Sequence, residues 1–247
     1  MSSNLKIDIN ADLGEGLANE ADLIPYLSSC NIACGGHAGD FETMSTVVSL
    51  AKHHNVKIGA HPSFPDKASF GRTELSMNTK DLYESLRVQI QDLQDVLQSH
   101  DLKMNHIKPH GALYNLAAKD KNTAEVIVDV LCYFSKELKL YAPYKSVISE
   151  IAKSKQIDVV FEGFADRNYN EDLSLVSRQN TKALITKKEH VFEHVFQMIS
   201  NQKVKAINGV EVELFVDTIC VHGDTKNAVD ILQYLHTNLI ANHIEIS

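Results

Sequence analysis

The chain has 247 residues, 44% of them apolar, and a formal net charge of -8 at neutral pH. That length supports one sizeable core, and the negative balance, with no Lys/Arg block to override it, argues against nucleic acid and anionic membrane as partners. Met1 to Asn10 holds no apolar run of signal-peptide length, and no stretch approaches the roughly 18 apolar residues of a membrane span, so a cytoplasmic protein is expected.

Short β-type runs alternate with helix-period runs along most of the chain. The predicted strands begin at Leu5, Cys30, Val56, His106, Leu138, Val159 and Thr218. Between them, Phe41 to His54 is helical in pattern, and Leu82, Leu86, Ile90, Leu93 and Leu97 recur at spacings of four, four, three and four, the stripe of an amphipathic helix. Helix patterns also cover Thr123 to Lys136, Lys145 to Lys153 and Lys226 to Leu239. This alternation predicts repeated βα units around a mainly parallel sheet, in a number that suits a barrel. With no linker in sight, one domain over 1–247 is expected.

Residues 204–216 break the pattern: Asn208-Gly209 between Ala206-Ile207 and Val210-x-Val212 reads as a tight hairpin inserted before the last strand. Cys30, Cys34, Cys132 and Cys220 lie in or beside apolar stretches without Cys-x-x-Cys spacing, so most are expected to be buried thiols.

Polar residues gather just after the predicted strands: Asp12 after the first, His37 and Asp40 after the second, His61 after the third, Lys108 and His110 after the fourth. Glu162, Asp166 and Arg167 follow the sixth, and His222 and Asp224 the last. In a (β/α) barrel that end of the strands is the active-site face. Taken singly, each of these is more often a cap, a turn residue or a satisfied hydrogen-bonding group. Together, embedded in small residues such as Cys34-Gly35-Gly36-His37-Ala38-Gly39-Asp40 and Lys108-Pro109-His110-Gly111-Ala112, they form a pattern. No Walker A loop, Gly-x-Gly-x-x-Gly or Gly-x-Ser-x-Gly motif occurs, so any ATP must be held differently. His190-Val191-Phe192-Glu193-His194 matches a zinc-peptidase spacing. Thr186 to Ile199 is, however, already accounted for as an amphipathic helix with Val191, Val195, Met198 and Ile199 inward and the histidines at or near the surface.

The strand-end segments Asn10-Ala11-Asp12-Leu13-Gly14-Glu15, Asn31-Ile32-Ala33-Cys34-Gly35 and Gly59-Ala60-His61-Pro62-Ser63-Phe64-Pro65-Asp66 resemble the LamB/YcsF family. The resemblance continues, collinear over almost the whole chain, through Phe70-Gly71-Arg72, Lys108 to Asn115, Glu162 to Arg167 with Tyr169, and Cys220 to Asp224. The chain departs from the family's pattern at Gly36, around Lys67 to Ser69 and over Asn170 to Ser177. The resemblance implies an α/β fold, an irregular seven-stranded (β/α) TIM-like barrel related to glycoside hydrolases and sugar deacetylases. It also implies a reaction, the opening of 5-oxoproline to glutamate at the expense of ATP, carried out together with two partner subunits.

Under that implied reaction, ATP phosphorylates the lactam carbonyl oxygen, water attacks the former carbonyl carbon, and the ring nitrogen leaves with a proton. The candidate acid/base groups are Asp12, His37, His61, His110 and His222. Arg72, Lys108 and Arg167 are the candidate anion-binding cations, with Glu162, Asp166 and Asp224 in the same substrate- and phosphate-binding set. An Asp12 buried near Lys108 would keep that lysine charged. Two alternatives stay open: a divalent metal on Asp12, His37 and His61 that activates water for a deacetylase or amidohydrolase, and a non-catalytic component that only presents substrate.

Overall fold

The computed structural model describes residues 5–247. Seven parallel strands form the barrel: β1 (Leu5–Leu13), β2 (Ser29–Ala33), β3 (Lys57–His61), β4 (His106–Ile107), β5 (Lys139–Ala142), β6 (Val159–Phe164) and, after an excursion, β9 (Thr218–Cys220). Each pairs with the next, and β9 pairs with both β6 and β1, with Thr218 opposite Glu162 on one side and Asp8 on the other, which closes the ring. Every observed start lies within one residue of its predicted one. The sequence reading missed β10 (Ile244–Ile246), which runs parallel to the first residues of β1 and ties the last helix back to the barrel.

Helices cover the outside. Between β1 and β2 lie α1 (Glu20–Leu23) and a 3-10 turn; α2 (Phe41–His54) and α3 (Thr79–Ser99) follow β2 and β3; α4 (Gly111–Ala117) and α5 (Lys121–Phe134) follow β4. Then come α6 (Val147–Ser154), α7 (Lys188–Asn201) and α8 (Ala228–Ala241). The Leu82-Leu86-Ile90-Leu93-Leu97 stripe is buried along its whole length, with α3 seated between α2 and α5. Asp40 lies at the second strand's exit but serves as the N-cap of α2, accepting the Thr43 N–H at 2.8 Å, so it falls to the ordinary reading of a loop carboxylate.

The hairpin is present but begins earlier and turns differently than Asn208-Gly209 suggests. Strands β7 (Lys203–Lys205) and β8 (Glu211–Glu213) pair antiparallel, and Ala206 N–H donates to Val210 O, so three residues bridge them with Gly209 at φ +94°. That is a three-residue connection with a left-handed glycine rather than a two-residue turn. Where a side chain on Gly36 would stand, Gln89 of α3 stands instead, bonded to Ser63 through both the N–H and the carbonyl of that residue. Cys30, Cys34 and Cys220 are buried and Cys132 partly so, all as free thiols.

Candidate functional site

A barrel interior is ordinarily filled by branched apolar side chains; this one is filled by a hydrogen-bonded polar network. Along β1 the residues Ile7, Ile9, Ala11 and Leu13 join the outer apolar layer, while Asp8, Asn10 and Asp12 alternate with them and bond across the barrel. At the floor, Asp8 accepts from the hydroxyls of Ser29 and Thr218 at 2.7 and 2.5 Å. One layer higher, His106 donates to Asn31 Oδ1 at 2.7 Å. Asn31 donates to Asn10 and Asp12, each at 2.8 Å, and Asn10 donates to Glu162 at 3.0 Å. Gly59 is what admits the His106 ring, since a Cβ there would lie 2.2 Å from it.

Lys108 crowns this network. It is 2% exposed, and its ammonium reaches Asp12 Oδ1 at 2.9 Å, Glu162 Oε1 at 2.8 Å, Asn10 Oδ1 at 3.4 Å and Cys220 Sγ at 3.3 Å. Burial works against its charge, but Asp12, the Cys220 sulfur and Glu162 outweigh burial and hold Lys108 well above the ordinary lysine value. Its three donors are thus committed inside the barrel, and Glu162 is committed with them.

Above Lys108 the strand ends open into a cavity of about 600 Å³ whose lining includes Asp12, Glu15, His61, His110 and His222, a size in the usual range for small-molecule sites. His61 Nδ1 faces the Lys108 carbonyl at 2.8 Å, and His110 Nε2 faces the Phe70 carbonyl at 2.9 Å. A carbonyl only accepts, so both of those nitrogens carry hydrogens. The two remaining nitrogens, His61 Nε2 and His110 Nδ1, meet at 2.9 Å, and they can do so only with one proton between them. Burial first, then His61 and His37, push His110 far down, and His61 Nε2 also lies 3.3 Å from Asp12 Oδ2. Burial alone would raise Asp12; His61 and Lys108 overcome it and keep the carboxylate well below the usual range.

Beside this pair, His37 is stacked on His110 with centroids 3.6 Å apart and holds Glu15 Oε1 at 3.0 Å. Burial pushes His37 down to about 4, so it is a neutral donor to Glu15. Glu15 itself is raised to about 7, by burial and then by the nearby Asp12, which makes it a carboxyl group able to change protonation near neutral pH. On the opposite wall, His222 Nδ1 donates to Asp166 Oδ1 at 2.8 Å, fixing the tautomer and leaving Nε2 as the acceptor. Asp166 is fully buried; burial would raise it, but His222, Thr225 and Arg167 keep it lowered.

Toward solvent, Asp224 Oδ2 accepts from Arg72 Nη2 at 2.9 Å and from Arg178 Nη1 at 3.0 Å. Arg167 lines the same mouth, and its Nη2 donates to Val176 O at 2.7 Å. Apart from Asp40, the candidate residues read from strand ends therefore sit around one opening or directly beneath it. Two charged cavity-lining groups were missed. Glu15 stands inside a segment quoted for the family resemblance and could have been found by its place two residues beyond the strand. Arg178 lies in the irregular stretch between β6 and α7, where no periodicity points to it.

Among the described residues, two groups of side chains bring ligand-type atoms within 4.8 Å of one another: Glu15, His37, His61 and His110, and separately Asp12, Cys220 and His222. The trio Asp12, His37 and His61 raised from the sequence falls across the two. The first group suits a divalent ion of intermediate softness, since His61 and His110 both anchor their outer nitrogens on backbone carbonyls.

The family model described as LamB/YcsF family matches residues 7–247. The chain belongs to the LamB/YcsF family. Among curated relatives, the 5-oxoprolinase A-subunit of Haemophilus influenzae (strain PittEE) is 39% identical over 98% of this chain and 99% of the relative. The 5-oxoprolinase A-subunit of Staphylococcus aureus (strain JH9) is also 39% identical, over 98% and 99%. The crystal structure of the lactam utilization protein from Thermus thermophilus superposes with a TM-score of 0.92 at 34% identity, over 98% of this chain and 99% of that one. A family 4 carbohydrate esterase from Streptomyces lividans shares the fold at a TM-score of 0.50 and 8% identity, over 100% of this chain and 93% of that one. The implied seven-stranded (β/α) barrel is thus borne out.

Proposed function

We propose that this chain is the ring-opening hydrolase component of an ATP-dependent 5-oxoprolinase, working with two further subunits to convert 5-oxoproline to glutamate. The names of the family's full-length relatives support the substrate class. The observation that carries a hydrolytic role is the one cavity faced by Asp12, Glu15, the His61–His110 pair and the Asp166-held His222.

A lactam amide resists water because resonance deactivates its carbonyl carbon and its nitrogen is a poor leaving group. Phosphorylation of the carbonyl oxygen removes the first obstacle, and a proton donor at the ring nitrogen removes the second. Asp12 orients His61, and the proton held between His61 Nε2 and His110 Nδ1 suits transfer to the departing nitrogen. His222, with Nδ1 fixed on Asp166 and Nε2 as acceptor, suits the base that takes a proton from the attacking water. Glu15 exchanges protons with the pair near neutral pH. Lys108 is held by Asp12 and Glu162 inside the barrel rather than binding substrate, while Arg72 and Arg167 face incoming anions.

A second reading has one supporting observation, the Glu15-His37-His61-His110 cluster. If a divalent ion occupies it, these residues hold the metal, which would supply an activated water for amide hydrolysis. Metal analysis of the purified chain, with stoichiometry before and after mild chelation, separates the two.

The test of the main reading is glutamate release from 5-oxoproline by the chain reconstituted with its two partner subunits, each component and ATP omitted in turn. Release that needs every component is the expected result. No glutamate from a folded, assembled complex would sink the reading.

A further inference from the structure

We propose that a second chamber, adjoining the catalytic cavity along Tyr114 and Phe164, is a product site that takes the ammonium group of the ring-opened amino acid. The inference rests on the ring-opening reading for the ligand's identity, whereas its test is a binding measurement that does not depend on turnover.

The chamber holds about 380 Å³ and shares Tyr114, Asn115, Phe164 and Leu175 with the catalytic cavity. Tyr114, Tyr144, Phe164 and Tyr169 bring their aromatic rings to this one small space. Ring faces of this kind attract cationic amines. Two of these rings already do so within the chain: the Lys108 ammonium lies 5.4 Å from the Phe164 centroid, and that of Lys145 lies 5.0 Å from the Tyr144 centroid.

The charges of the lining point the same way. They belong to Lys119, Lys145, Glu162 and Asp172. Lys119 is paired with Glu74 at 3.4 Å, Lys145 with Glu213 at 3.6 Å and Glu162 with Lys108 at 2.8 Å. Asp172 forms no salt bridge among the described residues. Its Oδ1 accepts from the Ser174 backbone N–H and hydroxyl, which hold the carboxyl below its ordinary value, and the residue is exposed, so an ionised carboxylate is open to a ligand. The lining therefore lacks one positive charge, which one ammonium group supplies. Two buried acceptors add to this. Glu162 is engaged through Oε1 by Lys108 and Asn10, while its Oε2 and the Tyr114 hydroxyl have no hydrogen-bond partner among the described residues. These side chains are 2% and 6% exposed, and buried oxygens of this kind call for a donor.

Substrate and product differ in the group this lining selects. In 5-oxoproline the nitrogen is a neutral amide. Net addition of one water across the carbon–nitrogen bond leaves a carboxylate on carbon and an ammonium on nitrogen, so the cation exists only after ring opening. The compact ring becomes a flexible chain in the same event, which suits passage between adjoining cavities. Lys119 and Lys145 are well exposed and their pairs are surface pairs, weak enough to turn toward the carboxylates of an amino acid. The mouth of the catalytic cavity, by contrast, is spanned by the bridges from Arg72 and Arg178 to Asp224, so the chamber offers the product a separate way out past Asp172 and Ser174.

The test is calorimetric titration of the full chain with L-glutamate, with glutarate, which has both carboxylates and no amine, and with 5-oxoproline. Wild type is compared with Asp172→Asn and Ser174→Trp in the chamber and with Arg178→Gln at the mouth. Asp172 and Ser174 are exposed, and folding of each variant is checked by circular dichroism. The expected result is saturable glutamate binding, at least about tenfold tighter than glutarate binding, weakened at least about tenfold in both chamber variants and kept within about twofold in Arg178→Gln. No saturable glutamate binding, equal binding of glutarate, or binding unchanged in both chamber variants overturns the product site. Loss in Arg178→Gln alone overturns it in favour of the mouth, and 5-oxoproline bound more tightly than glutamate and lost in the chamber variants overturns it in favour of a substrate site. A complex that makes no glutamate while the chain still binds glutamate through its amine tells against the ring-opening reading alone. A complex that makes glutamate while the chamber variants bind it as wild type does tells against the product site alone.

Discussion

The mouth of the barrel and the outer face of α7 both place histidines beside carboxylates, and they do very different things with them. At the mouth, His61, His110 and His222 each have one nitrogen fixed by a carbonyl or carboxylate and the other turned inward, with Asp12 and Glu15 among them. On α7, His190 and His194 match a metal-binding spacing. Yet His190 is exposed and His194 Nε2 is buried with no partner among the described residues, beside a larger and more open groove. What separates a site from a coincidence of residue types is therefore a second layer of partners that fixes tautomer and direction. Spacing along a helix supplies none of that.

If the contrast is sound, removing the mouth's central carboxylate has the largest effect. Asp12→Asn keeps the shape but takes away the charge that faces both His61 and Lys108. Glutamate formation by the reconstituted complex is expected to fall by about 10³-fold or more, with the subunits still co-purifying. Retained turnover would mean that the chain presents substrate and does no chemistry. Lys108→Met asks a different question of the same network, because it leaves Asp12 and Glu162 buried without their cation. Urea unfolding should show a loss of roughly 3–5 kcal/mol, far more than an activity-only role for Lys108 would produce.

Asp166→Asn sharpens the comparison at one histidine. The carboxamide can still touch His222 Nδ1, but it can donate there and favour the wrong tautomer, so His222 loses its acceptor at Nε2 without leaving its place. A drop of about 10²-fold in kcat with KM little changed is expected of a positioning residue. A matching rise in KM would move Asp166 to substrate binding instead.

How much of this was legible in the sequence follows from which physical rule each part obeys. The outer shell obeys periodicity: the Leu82 to Leu97 stripe and the strand starts carry their burial in the spacing of apolar residues, so the barrel was visible. The collection of Asp12, His61, His110 and His222 was visible because strand ends share one rim whatever their order. The polar interior was not read, although β1 carries it openly as Asp8-x-Asn10-x-Asp12, a period of two with the polar set facing the network. That Lys108 and Glu162 are spent on each other, and that Arg178 joins Arg72 through Asp224, are facts about segments far apart in the chain, and single-sequence spacing has no term for them.

The smallest expected effect tests the other side of the contrast, the claim that the α7 histidines are structural. Burial holds His194 down at about 4, whereas an unfolded-chain histidine titrates near about 6.5. Between those values the unfolded state binds a proton that the folded state refuses, so the stabilising effect of a neutral His194 is complete above about 6.5 and is lost as pH falls toward about 4. His194→Leu removes that linkage. Its unfolding free energy should therefore decline less steeply than wild type over this window, by at most about 1.4 kcal/mol per pH unit, and His190→Ala is the companion variant for the activity readout. Glutamate formation at neutral pH should stay within about twofold in both, since surface and non-site substitutions change little. A large activity loss in either variant, restored by added zinc in the His190 variant, would show that spacing on α7 does define a site and that the contrast with the barrel mouth is wrong.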